Sequence, residues 1–300
     1  MTITQFNRIV EIRTKIISMG TFLAGSLYAL VITHSFSVPR FIVMLFAVLC
    51  VDMGTTGFNS YFDYTSGTDT ASLNFEKDKV LVHEGVSPLL ALLISLGLFF
   101  IAALLGLFLA SWTSYYLIVA GAISMGVGFF YTGGPFPISR TPLGELFAGG
   151  FLGTVLFVIS FYVQSLDVTL EAVIVSIPLL MLIGMILTVN NTCDKEADIQ
   201  AGRKTLTILL PPSLNTLLLQ IEFYGAFLLT IILAFTPLIP IMVALTTFLA
   251  LIPAHFSYQK MGKVGYSLQT KGPSMGGVSS LFTYYVASFC LGMLLHLIFS

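Results

Sequence analysis

Charged side chains are scarce in this 300-residue chain, where Asp, Glu, Lys and Arg together make up 9% of the residues. Hydrophobic residues make up 56%, and the mean hydropathy is +0.96. A water-soluble protein of this length needs far more polar surface, so that class is excluded. A net charge of -1 also argues against a nucleic-acid-binding protein, which typically carries a basic patch. The composition therefore indicates an integral membrane protein.

Cysteine and tryptophan are also rare, with three residues of the first and one of the second. Cys50, Cys193 and Cys290 are odd in number and lie in apolar segments, a pattern that does not indicate a disulfide framework. We interpret them as small apolar packing residues. Cys193 adjoins Asp194 but has no histidine nearby in the sequence, so it is a poor candidate nucleophile.

Residues 1–15 precede the first apolar run and are longer and more mixed in charge than the basic start of a signal peptide. No small-residue cleavage site is obvious after them, so we predict an uncleaved first span. Low-complexity segments and internal duplications are not evident. We expect residues 1–300 to form a single intramembrane domain.

Long apolar runs dominate the remainder of the chain. A membrane-spanning helix needs roughly 20 mostly apolar residues, and such segments must satisfy their own backbone hydrogen bonds. No alternating pattern of a β-barrel is present. We predict an all-α, polytopic fold of about nine transmembrane helices around a central cavity. The predicted spans are 16–36, 40–62, 87–110, 114–132, 144–164, 171–193, 213–235, 237–256 and 276–299.

The connections between these spans alternate in length and charge. Those after the second, fourth, sixth and eighth spans are long, and they lie on the same side of the membrane as the N-terminus. Of the 13 Lys and Arg residues, only Arg40 would lie on the far side. The positive-inside rule therefore predicts a cell-membrane protein with a cytoplasmic N-terminus, an extracytoplasmic C-terminus and a cavity that opens to the cytoplasm.

Two polar clusters end apolar runs on the predicted cytoplasmic side. Asn59 and Asp63 are four residues apart and share a helix face, and the "TSG" that follows can turn Asp69 back toward Asp63. The second cluster repeats the spacing with Asn190, Asp194 and Asp198, and Asn191 lies alongside. Oxygen ligands of this kind suit hard divalent cations, Mg²⁺ above all.

Basic residues follow both clusters: Lys77 and Lys79 the first, Arg203 and Lys204 the second. Cations beside metal-binding carboxylates make sense if the ligand is an anion such as a diphosphate. A single carboxylate at a helix end would ordinarily be a solvated group with no further role. Two clusters with matched spacing on one side favour a functional site.

Three segments together resemble the signatures of the UbiA superfamily of intramembrane prenyltransferases. They are "NSYFDYTSGTD" (59–69), "YTGGPFPISRTPLGE" (131–145) and "NNTCDKEADIQAGRKTL" (190–206). The branch that the chain resembles most is that of the 1,4-dihydroxy-2-naphthoate polyprenyltransferases of menaquinone biosynthesis. Relatives carry Arg-His-Gly where this chain has "HEG" (83–85).

The resemblance implies roles for the polar residues. Asp63, Asp69, Asp194 and Asp198 would bind two Mg²⁺ ions that hold a polyprenyl diphosphate. The remaining implied site residues are Asn59 and Asn191, assisting the metal–diphosphate site; Arg203 and Lys204, neutralising the diphosphate; Lys77 or Lys79, substituting for the missing arginine; and Tyr131, facing the cavity near the diphosphate or the reacting ring.

The implied reaction is ionisation of the allylic diphosphate and capture of the carbocation by an aromatic acceptor, which in the naphthoate branch loses its carboxylate as carbon dioxide. Two alternatives stay open: prenyl transfer to another quinone precursor, a lipid or a tetrapyrrole, or a cation transporter.

Four further polar or small residues have structural interpretations. Glu145 fits an acid at a helix N-terminus, and Glu222 fits a polar contact inside the bundle. The pair Gly149 and Gly153 predicts close helix packing within the fold rather than dimerisation.

Overall fold

The computed structural model describes residues 1–70 and 79–300, and within them all regular structure is helical. The predicted all-α, polytopic fold class is confirmed. The α-helices are α1 (Ile3–Ile9), α2 (Ile16–Thr33), α3 (Val38–Thr65), α4 (Val80–His83), α5 (Pro88–Trp112), α6 (Tyr116–Phe130), α7 (Gly144–Ala148), α8 (Leu156–Ser165), α9 (Leu170–Cys193), α10 (Lys195–Gln200), α11 (Leu206–Leu209), α12 (Pro212–Leu233), α13 (Ile241–Val264) and α14 (Lys271–Phe299).

Among the described residues, eight helical segments are long and apolar enough to cross a membrane. Two of them join shorter pieces: a 3₁₀ turn (Ile12–Lys15) leads directly into α2, and α7 continues through a π-helical turn (Gly149–Val155) into α8. The fourth predicted span is α6, which is helical and apolar but has only 15 residues. Such a helix is about 22 Å long, shorter than the roughly 30 Å of the hydrocarbon core.

The ends of the last two spans that face each other along the chain differ from the prediction. Residues 257–275 were expected to form a long connection, but α13 continues to Val264 and α14 begins at Lys271. Hydropathy identifies only the part of a helix that lies in lipid. Both helices extend beyond that part, where Lys260 and Lys263 accompany the last turns of α13.

The π-helical turn places two glycines against α9. A Cβ atom on Gly149 would lie 2.4 Å from the Leu180 carbonyl oxygen, and one on Gly153 would lie 2.6 Å from the Leu180 nitrogen. Both positions therefore require glycine, because backbone atoms cannot yield. The prediction that this pair serves helix packing within the fold is confirmed.

Helix α9 is the most buried long helix, with 67% of its apolar window inside the bundle. It packs against α12, α14 and the fifth span, whereas α3 packs against α5, and α6 packs against both of these. This arrangement places the ends of α3 and α9, with their polar clusters, on the same end of the bundle.

Candidate active site

A cavity of about 1070 Å³ opens at the end of the bundle where α3 and α9 end. Residues from both sequence clusters line it. They are Asn59, Asp63, Asp69, Asn190, Asn191, Asp194 and Asp198. The two clusters, which the resemblance assigns to a single diphosphate, therefore converge on one cavity.

The first cluster is built by the last turns of α3 and a tight turn after them. Asn59 and Asp63 lie on the helix, which ends at Thr65. Gly67 then adopts φ +73°, a left-handed conformation that glycine reaches without strain. The turn brings the Asp69 N–H to the Asp63 carbonyl oxygen, to which it donates at 3.0 Å. The predicted return of Asp69 toward Asp63 is confirmed.

The second cluster lies at the junction of α9 and α10. Asp194 is the residue between the two helices, and the Asp198 N–H donates to its carbonyl oxygen at 2.8 Å. Gly202 has φ +70° and reverses the chain, so that the Arg203 N–H donates to the Asp198 carbonyl oxygen at 2.9 Å. The turn thereby directs Arg203 back into the cavity, which its side chain lines.

Arg203 joins the two clusters. Its Nη2 donates to Asp63 Oδ1 at 2.8 Å, and its Nη1 lies 3.2 Å from Asp198 Oδ1. A guanidinium can hold two carboxylates at once because its N–H groups form a rigid fork. The bridge fixes the distance between α3 and α10 at the mouth of the bundle.

Two lysines accompany the other acids. The Nζ of Lys271, at the start of α14, lies 2.7 Å from Asp194 Oδ2, and the Nζ of Lys79 lies 3.5 Å from Asp69 Oδ2. Sequence reasoning proposed Lys79 but overlooked Lys271, because Asp194 and the rest of the second cluster lie far from Lys271 in the chain. Its position just before the last predicted span, on the predicted cytoplasmic side, was the available signal.

The structure places Lys204 outside the cavity lining. Lys204 is exposed, and its backbone N–H donates to the Arg140 carbonyl oxygen at 2.9 Å. Arg140 also donates from Nη2 to Thr68 Oγ1 at 3.1 Å, which ties the 131–143 connection to the loops of both clusters. Lys77 lies outside the described residues.

The donor set fits a hard divalent cation such as Mg²⁺. Asp198 is only 3% exposed, and its Oδ2 has no hydrogen-bond partner among the described residues. A buried carboxylate oxygen without a hydrogen-bond partner, on a residue that lines a cavity, is suited to bind a metal ion. Burial raises the pKa of Asp198 to about 6, although Arg203 beside it acts in the opposite direction. Within residues 1–70 and 79–300, no group of three or more His, Cys, Asp or Glu side chains is gathered closely enough to hold a metal ion.

The two asparagines make different contacts. The Thr132 hydroxyl donates to Asn59 Oδ1 at 2.6 Å. The Asn191 amide nitrogen instead donates to Glu145 Oε1 at 2.8 Å. Glu145 was predicted only as a helix N-terminal acid, so its contact with a cavity residue is new information.

A second cavity, of about 490 Å³, extends into the apolar bundle. It is lined by α2, α3, α5, α6, the fifth span and α9. Four residues line both cavities and mark their junction: Asn59, Tyr131, Ile186 and Leu187.

A buried ion pair, missed by sequence reasoning, lies beside this junction. Lys15 is 3% exposed, and its Nζ lies 2.8 Å from Asp52 Oδ1 and 3.1 Å from Thr56 Oγ1. The Ser18 hydroxyl donates to Asp52 Oδ2 at 2.5 Å. Because each charged oxygen has a partner, the pair can stabilise the packing of α2 on α3 inside the membrane.

These features define a class of protein: a polytopic helical membrane protein with one polar, acid-rich cavity that continues into an apolar one. The pattern of the UbiA prenyltransferase family matches residues 18–265, and the chain belongs to this family. The predicted resemblance is confirmed.

Two relatives illustrate the similarity. The 1,4-dihydroxy-2-naphthoate octaprenyltransferase of Bacillus subtilis (strain 168) is 38% identical over 188 residues, which cover 63% of this chain and 60% of the relative. The UbiA prenyltransferase domain-containing protein 1 of Homo sapiens is 29% identical over 231 residues, which cover 76% of this chain and 66% of the relative. The matches thus span less than two thirds of the length of these relatives.

Solved structures share the fold at low sequence identity. A UbiA homologue from Archaeoglobus fulgidus bound to DMAPP and Mg²⁺ superposes with a TM-score of 0.63 and 13% identity, covering 95% of this chain and 99% of the homologue. An apo UbiA homologue from Aeropyrum pernix K1 superposes with a TM-score of 0.65 and 16% sequence identity, covering 94% of this chain and 96% of the homologue.

Proposed function

We propose that the protein transfers a polyprenyl chain from a polyprenyl diphosphate to an aromatic acceptor, namely 1,4-dihydroxy-2-naphthoate, in menaquinone biosynthesis. The observation that carries the proposal is the junction of a polar and an apolar cavity at Asn59 and Tyr131. A diphosphate headgroup matches the first cavity and an isoprenoid tail the second, so the reacting carbon would lie at their junction. The similarity to the naphthoate octaprenyltransferase of B. subtilis supports the acceptor.

The residues of the polar cavity suit the departure of a diphosphate. Asp63, Asp69, Asp194 and Asp198 would hold Mg²⁺, which when bound supplies positive charge that polarises the diphosphate. Three basic residues that line the cavity form ion pairs with these carboxylates: Arg203, Lys79 and Lys271. Their positive charges would stabilise the negative charge that develops as the C–O bond breaks.

The junction suits the second half of the reaction. The electron pair of the broken bond leaves with the diphosphate, and the allylic carbon then forms a bond to the aromatic ring of the acceptor, which releases its carboxylate as carbon dioxide. Tyr131 would present its ring to the cation, an attraction that strengthens where water is absent. The apolar lining of the second cavity excludes the water that would otherwise capture the cation.

An assay of the purified protein tests the proposal. It combines Mg²⁺, a polyprenyl diphosphate and a panel of aromatic acceptors, with products identified by mass. The expected result is a prenylated naphthoquinol that forms only with the naphthoate and only with divalent metal. A product with a different acceptor would correct the substrate. Metal flux in proteoliposomes without any transfer would indicate a transporter.

Enlarging one residue should shorten the apolar cavity. Gly106 lines it near the far end of α5, and a Cβ there would meet no atom within 4 Å. Gly106→Phe should lower the rate with long polyprenyl diphosphates by about 10-fold, because the ring would occupy the space of the last isoprene units. Rates with geranyl diphosphate should stay within about two-fold of wild type.

Gly97→Phe is the matched control for this change. Gly97 lies on the same helix, also has open space at its Cβ, and is exposed on the outside of the bundle rather than in the cavity lining. Equal losses in both variants, or an equal loss with short and long donors, would argue against the second cavity as the site of the tail.

We also propose that residues 1–300 form one intramembrane domain with a cytoplasmic N-terminus and an extracytoplasmic C-terminus. The concentration of basic residues at the cavity end of the bundle supports this orientation. An alkaline phosphatase fusion at Ser300 should be active, and a green fluorescent protein fusion there should be dark. The reverse pattern would place the cavity on the outer side.

A further inference from the structure

Glu145 is a buried carboxyl group directly behind the wall of the polar cavity. It begins the fifth span, is 4% exposed and is not itself part of the cavity lining. Its Oε1 accepts the hydrogen bond from Asn191 Nδ2, and its Oε2 has no hydrogen-bond partner among the described residues. Burying a carboxyl group with one unsatisfied oxygen is costly, so a compensating function is expected.

The contact decides which end of the Asn191 amide is available to the cavity. An asparagine side chain has one end that donates hydrogen bonds and one that accepts them or binds cations. Asn191 lines the cavity, and its nitrogen is engaged by Glu145, so its carbonyl oxygen is the free end. Asn59 has the opposite arrangement, since Thr132 engages its oxygen and leaves the NH₂ group free.

We infer that Glu145 is a positioning residue that holds the carbonyl oxygen of Asn191 toward the polar cavity as a ligand for the divalent cation. The inference rests on the proposed function, because it assigns a role to Asn191 within the metal–diphosphate site. It also explains why an acid occupies this position. The Glu145 carboxyl group accepts from Asn191 Nδ2 and has no N–H to donate, whereas the side-chain amide of a glutamine could also donate and would allow either orientation of Asn191.

Binding of Mn²⁺ to the detergent-solubilised protein in the presence of inorganic diphosphate, followed by electron paramagnetic resonance, tests this role without any prenyl transfer. Glu145→Gln introduces an NH₂ group that can donate to Asn191 Oδ1 and turn the amide over. We expect Mn²⁺ affinity to fall about 10-fold, as for other residues that orient metal ligands. The Mg²⁺ concentration for half-maximal prenyl transfer should rise in parallel, whereas the rate at saturating Mg²⁺ should change much less.

A reciprocal exchange separates positioning from a structural role. Asn191→Asp alone would place two carboxylates together and should also weaken Mn²⁺ binding. In the double variant Glu145→Gln/Asn191→Asp, the glutamine NH₂ can donate to one aspartate oxygen and leave the other for the cation. The double variant should therefore bind Mn²⁺ more tightly than either single variant. Losses that simply add would overturn the inference.

Glu222→Gln is the matched control. Glu222 is another buried acid whose Oε2 has no hydrogen-bond partner within residues 1–70 and 79–300. It accepts a hydrogen bond from Thr188, which lies on α9 as Asn191 does, but it does not line the cavity. Its exchange should leave Mn²⁺ binding unchanged, and an equal loss there would overturn the specific role of Glu145. Wild-type protein that binds no Mn²⁺ would also overturn it. Intact Mn²⁺ binding without prenyl transfer would instead remove only the proposed function.

Discussion

Exchange of Asp63 for asparagine is expected to abolish most activity, with the rate of prenyl transfer falling about 10²–10³-fold. Asp63 lies on the last turns of α3, lines the polar cavity and accepts a hydrogen bond from Arg203. The substitution keeps the size of the side chain but removes a negative charge that both the cation and Arg203 require. Excess Mg²⁺ should restore the rate only in part, because the neutral amide is a weaker ligand.

Initial rates of purified variants at several Mg²⁺ concentrations measure this effect. The matched control is Asp167→Asn, an exposed acid in the connection before α9 that is not part of the cavity lining. It should keep the wild-type rate. A rate above half of wild type in Asp63→Asn would show that the first cluster does not hold the metal.

The second large effect is expected from Arg203→Lys. Arg203 contacts Asp63 from one cluster and Asp198 from the other, through two different nitrogens. A lysine has a single ammonium group and cannot reproduce this fork. The two halves of the site would therefore move relative to each other, and small misplacements of reacting groups cost up to about 100-fold in rate. The KM for the prenyl diphosphate should also rise.

Lys204→Arg is the control for this exchange, since Lys204 follows Arg203 directly but is exposed and does not line the cavity. It should behave like wild type in donor and acceptor kinetics. Unchanged donor kinetics in Arg203→Lys, or a larger defect in Lys204→Arg, would reverse the assignment of the two residues.

The spacing of the polar residues predicted much of the site because it reflects a local helical repeat. Asn59 and Asp63 share a face of α3, and the Asp194–Asp198 pair continues the end of α9, as their four-residue intervals require. The assignment of Arg203 to the site also followed from its neighbourhood. Its bridge to Asp63 did not, because that contact depends on how α3 and α10 pack together.

Other placements in the candidate site could not be predicted from the local sequence. Lys204 follows Arg203 directly, but in non-helical backbone adjacent side chains point in different directions, and Lys204 is exposed. Lys271 meets Asp194, and Lys15 is buried against Asp52, only after the spans have packed. No periodicity in the local sequence encodes these pairs.

The short helix α6 lies between the bilayer surface and the junction of the two cavities. Its 15 residues leave a hydrophobic mismatch with a bilayer core of about 30 Å, at a cost of a fraction of a kcal/mol per Å. Trp112, Tyr115 and Tyr116 are exposed at one end, where aromatic side chains anchor to the headgroup region. Tyr131 directly follows the other end. We therefore expect a thicker membrane to strain the segment that carries Tyr131, so that acyl-chain length would alter the geometry of the cavity junction.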